Sequence, residues 1–208
     1  AIDAAATAVA GLAPVDNPMG APGTTLSGLM VLWTPEGPYW LSFNVGDSRA
    51  YVVGGGGIRQ LTHDHSALQE ARDLAATSGA PRVIPPANVV TKALGAGQSG
   101  SVKADYTIMP LEEGDRAVIC TDGVHGVLQD AQIHAIVAAG DGPQGSADAL
   151  VQASLETGTR DNTTAVVVYA GTESRVTLTT NVLNRMIQPV RPASIQTARR
   201  VPRREGSN

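Results

Sequence analysis

The sequence predicts an α+β domain built on antiparallel sheet. Three observations predict it: strand patterns crowd the first part of the chain and meet at hairpin turns, helical patterns gather later, and regular strand–helix–strand alternation is absent. The 208 residues are enough for one domain with a real core. With 42% hydrophobic and 16% charged residues the composition is globular, and with 3% aromatics the core must come from Val, Ala, Leu and Ile. There is no internal repeat.

The elements follow in order. Residues 2–12 are Ala-rich and read as a short helix. "APVDNPMGAPG" is a Pro/Gly loop. Residues 24–34 read as a strand. Leu41, Phe43 and Val45 alternate with Trp40, Ser42 and Asn44, the period of a half-buried strand. Residues 49–53 form another strand, and the run Gly54 to Gly57 turns it into "IRQL", a hairpin. That Gly run lacks the Lys-Ser/Thr of a P-loop. Residues 66–80 are polar and helical until "GAPRVIPPANV" breaks them. Residues 102–109 alternate weakly. "AVIC" (117–120) is a short apolar run, a buried strand. Asp130 is expected to cap a helix reaching Ala139, with Ile133, Ile136 and Val137 on one face. Residues 147–155 repeat that pattern, and residues 165–169 form a last buried strand.

Several function classes drop out. No apolar run approaches the roughly 20 residues of a membrane helix, so no membrane association is expected. "AIDAAATAVAG" has no basic n-region and is not a secretory signal. It also lacks an initiator Met, so the chain is expected to be processed or cut from something longer. Cys120 is the sole cysteine; it cannot staple the fold, which suits a reducing cytoplasm. In its buried strand it is expected to be inert. Charge is divided along the chain. Residues 172–208 hold seven Arg, no Lys and two Glu, whereas residues 1–171 hold eight basic and 17 acidic residues. An acidic core argues against a nucleic-acid groove and permits a site that concentrates cations.

Three aspartates sit at strand ends. Asp47 lies in "FNVGDSRAY", Asp122 follows "AVIC", and Asp161 precedes the last strand in "RDNTTAVVVY". Carboxylates at a sheet rim suit a hard divalent cation, since Mg²⁺ and Mn²⁺ prefer oxygen ligands and keep several waters. Taken singly, Asp-Gly and Asp-Asn are also common turn pairs, and spacing alone does not bring the three together. "LTHDHS" puts His63 and His65 on one face if it is a strand, a spacing that can bind a transition metal.

The motifs "GTT" (23–25), "FNVGDSRAYVV…LTHDHS", "NVVTKALGA", "LEEGDRAVICTDGV" and "RDNTTAVVVY" occur in that order. The series resembles the metal-dependent protein phosphatases of the PPM family, the type-2C serine/threonine phosphatases, in their bacterial form. The resemblance spans residues 23–169. It implies a four-layer α-β-β-α sandwich of two antiparallel sheets, over a domain of residues 1–171. It implies two divalent metals, Mn²⁺ or Mg²⁺, with a third held weakly in some members. It also implies hydrolysis of phosphoserine and phosphothreonine in proteins by a metal-bridging water, without a covalent intermediate. Asp122 and Asp161 match the family's metal-binding aspartates, and Asp47 matches the residue that holds the weaker third metal. The same likeness makes His63 and His65 scaffold, Arg49 structural, and residues 66–87 the variable flap beside the active site.

Two departures accompany the likeness. The family's first metal-binding acid, its Asp-Gly motif with a Gly-Gly-His-like element, and its phosphate-binding Arg stand before "GTT", and nothing here matches them. They and the first strands are expected upstream, so that the complete protein is active and this chain alone is not. Gly126 stands where many members have another acid. The competing expectation is a catalytically silent homologue that binds phosphoproteins or regulates a partner. Expected partners are phosphorylated proteins and serine/threonine kinases, with no nucleic acid, for a cytoplasmic monomer. Residues 172–208 are expected to be a flexible basic arm or linker.

Overall fold

The computed structural model describes residues 1–12, 22–78, 84–96 and 101–171. The chain divides after Ala170. The expectation for residues 172–208 therefore lies outside the described residues, as do most of the "APVDNPMGAPG" loop and the start of "GAPRVIPPANV". In chain order the elements are α1 (Ile2–Ala10), β1 (Gly23–Thr24), β2 (Leu26–Thr34), β3 (Gly37–Val45), β4 (Arg49–Gly54), β5 (Gly57–Gln60), α2 (Ala67–Ser78), β6 (Leu94–Gly95), β7 (Asp105–Pro110), β8 (Arg116–Cys120), α3 (Asp122–His125), α4 (Asp130–Ala139), α5 (Pro143–Thr157) and β9 (Ala165–Tyr169). None of the described helices is long and apolar enough to cross a membrane.

Two antiparallel sheets form the centre. One is ordered β2-β3-β7 and the other β5-β4-β8-β9, while β1 pairs with β6. Trp40, Val52, Leu61 and Ala117 are buried between the sheets, with Leu29 and Met109 packed against them. On the far side of the four-stranded sheet, Tyr51 and Val118 meet Val124, Ile133, Val137 and Leu150 from α3, α4 and α5. On the far side of the three-stranded sheet, Ala6 of α1 packs with Val45, Leu94 and Val102. The result is the expected α-β-β-α layering.

Four local expectations need correction. In β3 the alternation holds, but Trp40, Ser42 and Asn44 are all buried, while of the other set only Val45 is. These residues find polar partners in the interior: Trp40 Nε1 donates to Asp115 Oδ2 at 2.9 Å, and Asn44 Nδ2 donates to the carbonyls of Gly46 (2.9 Å) and His63 (3.0 Å). Leu41 and Phe43 are only half-buried on the other face, which β2 and β7 extend with exposed Met30, Ile108 and Tyr106. A buried polar group is tolerated where its hydrogen bonds are met, so polarity alone mislabels the inner face. In β9 only Ala165 and Val167 are buried, and Val166 and Val168 are open to solvent. An edge strand of a four-stranded sheet stacked on a three-stranded one is covered from one side. The cap of α4 is Gln129, in a reciprocal capping box with Gln132, and Asp130 lies in the first turn. Its charge there favours the helix dipole. "LTHDHS" is not strand, and its two histidines diverge.

Candidate active site

Strand register gathers the aspartates. Arg49 pairs with Cys120, and Cys120 pairs with Ala165. The strands are antiparallel, so the residues just before β4, just after β8 and just before β9 share one end of the sheet. Those positions hold Asp47, Asp122 and Asp161.

The turn that carries Asp47 is built tightly. Gly46 has φ +108°, and a Cβ there would lie 2.3 Å from the Thr25 side chain. Only glycine meets both conditions. Thr25 Oγ1 and Ser48 Oγ are hydrogen-bonded at 2.8 Å, which locks the "GTT" segment onto the turn. Asp47 is 8% exposed. Burial pushes its carboxyl above the usual range, and the neighbouring Asp122 carboxylate adds to the shift. The Arg49 charge offsets the shift only in small part, because its guanidinium is committed elsewhere. Its Nε and Nη2 fork onto Asp64, at 2.9 and 2.6 Å, and its Nη1 donates to the Tyr51 hydroxyl at 3.0 Å.

Asp122 opens α3 directly after the buried strand. Gly123 follows it, and a Cβ there would lie 2.4 Å from the Asn162 carbonyl oxygen. The Asp161 loop is pressed that closely onto α3. Thr121 holds it: its N–H donates to Thr164 O (3.1 Å), while its Oγ1 accepts from Thr164 N–H (3.1 Å) and donates to Asn162 O (3.2 Å). Asp161 is exposed, and its Oδ1 accepts the Asn162 N–H at 2.7 Å.

The register thus brings Asp47 and Asp122 to one end of the sheet, where the Asp122 charge acts on Asp47, and leaves Asp161 on the adjoining loop. No group of three or more His, Cys, Asp or Glu close enough to hold a metal ion occurs among the described residues. Among those residues neither Asp47 nor Asp122 has an ion pair or a side-chain hydrogen bond to another residue. A buried carboxylate beside a second one, with no ion-pair partner among the described residues, fits a hard divalent cation. Two carboxylates are what Mg²⁺ commonly takes from a protein, water completing the shell. The rim is open. Hollows of about 440 Å³ beside the β4–β5 hairpin and about 820 Å³ beside α1 include none of the three aspartates.

One residue beside this pair, His125, escaped the sequence reading, and a second, His65, was read there as scaffold. His125 Nε2 donates to the Asp47 carbonyl at 2.9 Å. Burial, and then the Arg49 charge, holds its pKa below the ordinary histidine value. His65, read only as scaffold, has its ring against Gly46, with Nδ1 accepting the Gly46 N–H at 2.9 Å. His63 turns away to Asp73 of α2, at 2.8 Å. The only sequence signal was position: His125 lies three residues past Asp122, one helical turn on.

No family model matches the chain. It is 30% identical over 126 residues to the serine/threonine phosphatase stp of Listeria innocua, covering 60% of this chain and 49% of that protein. Among solved structures, the PPM Ser-Thr phosphatase MsPP from Mycobacterium smegmatis in complex with cacodylate superposes with a TM-score of 0.58 at 31% identity, covering 72% of this chain and 63% of that one. In sequence and in fold the chain is similar to bacterial PPM serine/threonine phosphatases. The catalytic domain of serine threonine protein phosphatase PstP in complex with two manganese ions matches with a TM-score of 0.62 at 28% identity, covering 79% of this chain and 64% of that one. The chain spans about half the length of the first curated relatives it matches.

Proposed function

We propose that the protein to which this chain belongs is a Mn²⁺- or Mg²⁺-dependent phosphoserine/phosphothreonine protein phosphatase. The observation that carries the reading is the buried Asp47 carboxylate beside Asp122, without an ion-pair partner among the described residues, at the sheet end that gathers the three motif aspartates. Divalent cations bound there supply acidified water and neutralise phosphate charge. The chain's own part is to bind and orient. Asp47 and Asp122 offer anionic oxygens from rigid strand ends. Thr121 and Gly123 fix the loop bearing Asp161 next to them. Arg49 is tied to Asp64 and serves the scaffold.

Phosphorylated proteins are the substrates in this reading, the kinases that phosphorylate them act in opposition, and the protein works as a monomer. One buried cysteine, its thiol pushed up to about 12 by burial, suits a reducing cytoplasm. A second reading, a silent phosphoprotein-binding module, is favoured by the lack of a three-ligand cluster among the described residues. Hydrolysis of a phosphothreonine peptide by the complete natural protein separates the two. The proposal expects turnover in Mn²⁺ that chelator abolishes. Peptide binding with no turnover in any metal supports the silent module.

A further inference from the structure

The backbone on both sides of the Gly46–Asp47 peptide is held by two imidazoles from distant parts of the chain. His65 grips Gly46 twice: its main-chain N–H donates to the Gly46 carbonyl at 2.9 Å, and its ring Nδ1 accepts the Gly46 N–H at 2.9 Å. His125 takes the next carbonyl, that of Asp47, through Nε2–H at 2.9 Å. The backbone partners fix both tautomers. An N–H pointing at His65 Nδ1 requires a lone pair there, so the hydrogen of the neutral ring sits on Nε2. That nitrogen lies between Asp105 Oδ2 at 3.1 Å and Lys92 Nζ at 2.9 Å, the hydrogen turning to the carboxylate, and Lys92 Nζ in turn donates to Asp105 Oδ1 at 3.2 Å. A carbonyl facing His125 Nε2 requires a hydrogen on that nitrogen.

The arrangement joins the two elements that carry the charged pair. Asp122 begins α3 and His125 ends it. The helix that positions one carboxylate therefore reaches across and holds the backbone of the other. His65 steadies the same turn from "LTHDHS". Left free, the turn would swing Asp47 outward, away from Asp122 and into water, because like charges repel and a buried carboxylate seeks solvent.

We propose that His125 and His65 are positioning residues that hold Asp47 on the Asp122 side of the turn, where the two carboxylates can share a divalent cation. The proposal rests on the reading of that pair as a cation site. Neither imidazole is asked to touch the cation or the phosphate.

The test uses the geometry of side-chain amides. Gln places an N–H donor near the position of histidine Nε2, and Asn places a carbonyl acceptor near that of Nδ1. Mn²⁺ affinity of the 208-residue chain is measured by calorimetry for the wild type and for His125→Gln, His125→Leu, His65→Asn and His65→Gln, with circular dichroism confirming the fold. Groups that orient metal ligands are worth about 10–100-fold in affinity. His125→Leu and His65→Gln are expected to lose at least about tenfold, while His125→Gln and His65→Asn stay close to the wild type. Hydrogen exchange at the Gly46 amide gives a metal-independent readout, with protection kept in His65→Asn and lost in His65→Gln. A purely structural role would lower thermal stability without this swap pattern. Folded His125→Leu binding Mn²⁺ as tightly as the wild type overturns the proposal, as does equal Gly46 exchange in the two His65 variants. Wild-type chain that binds no Mn²⁺ overturns the cation site itself and the positioning role with it.

Discussion

Asp47 is held against two opposing costs, burial and a like charge. Its raised pKa sets the direction of the pH response. The folded chain binds the Asp47 proton more tightly than the unfolded chain. This group's contribution to stability is therefore fully present below the ordinary carboxylate value and is lost as pH rises through the raised one. Asp47→Asn removes that loss. In metal-free buffer near neutral pH the variant should melt about 2–4 °C higher, the shift that roughly 1 kcal/mol gives a domain of this size. The gain should vanish as both proteins are taken toward about pH 3. Calorimetry with Mn²⁺ should reverse the order, because the wild type is stabilised by the ion and the variant is not. Arg49 behaves differently. Its guanidinium is bound at 2.6 Å to an Asp64 that is 6% exposed, so Arg49→Met strands a buried carboxylate. Urea unfolding should show a loss of about 3–5 kcal/mol. Arg49→Lys should recover little of it, since an ammonium cannot form the fork.

At the scale of the element, close backbone approach decides the site. Gly123 admits the Asn162 carbonyl to a place that a methyl group would fill. Gly123→Ala should push the Asp161 loop off Thr121, and exchange at the Thr164 amide should speed up while the β8 amides stay protected. This contact was invisible in the sequence, where Gly123 read as part of a turn. What the sequence did show were strands with a clear period and helices with one apolar face: β4, β8, α4 and α5 were all legible. The inner face of β3 was not, because Ser42 and Asn44 are buried against the accepting carbonyls of Thr107, Gly46 and His63, and a single sequence does not display partners. The same holds for the site. Asp47, Asp122 and Asp161 were legible as carboxylates at strand ends. The partners of His65, His125 and Arg49 depend on which loops meet, which periodicity does not encode.

Across the whole molecule, the two sheets are tied by few polar contacts, and Trp40 makes a central one. Its indole N–H reaches from β3 to Asp115, which is 5% exposed and also accepts the Glu112 N–H at 3.0 Å. Trp40→Phe keeps most of the packing and removes the donor. It should cost about 1.5–3 kcal/mol in denaturant unfolding, the worth of a hydrogen bond to a buried charge. The layers thus hold the rim rigid, and the rim presents the carboxylates. The most direct test of that account is the rate of phosphothreonine-peptide hydrolysis by the complete protein, titrated with Mn²⁺, for the wild type and Asp122→Asn. The account predicts wild-type turnover that saturates with Mn²⁺ and stops in chelator, and a variant slower by at least about a thousandfold, or roughly 4 kcal/mol of barrier. A wild-type rate unchanged by chelator, or a folded Asp122→Asn variant with the wild-type rate and Mn²⁺ dependence, would contradict it.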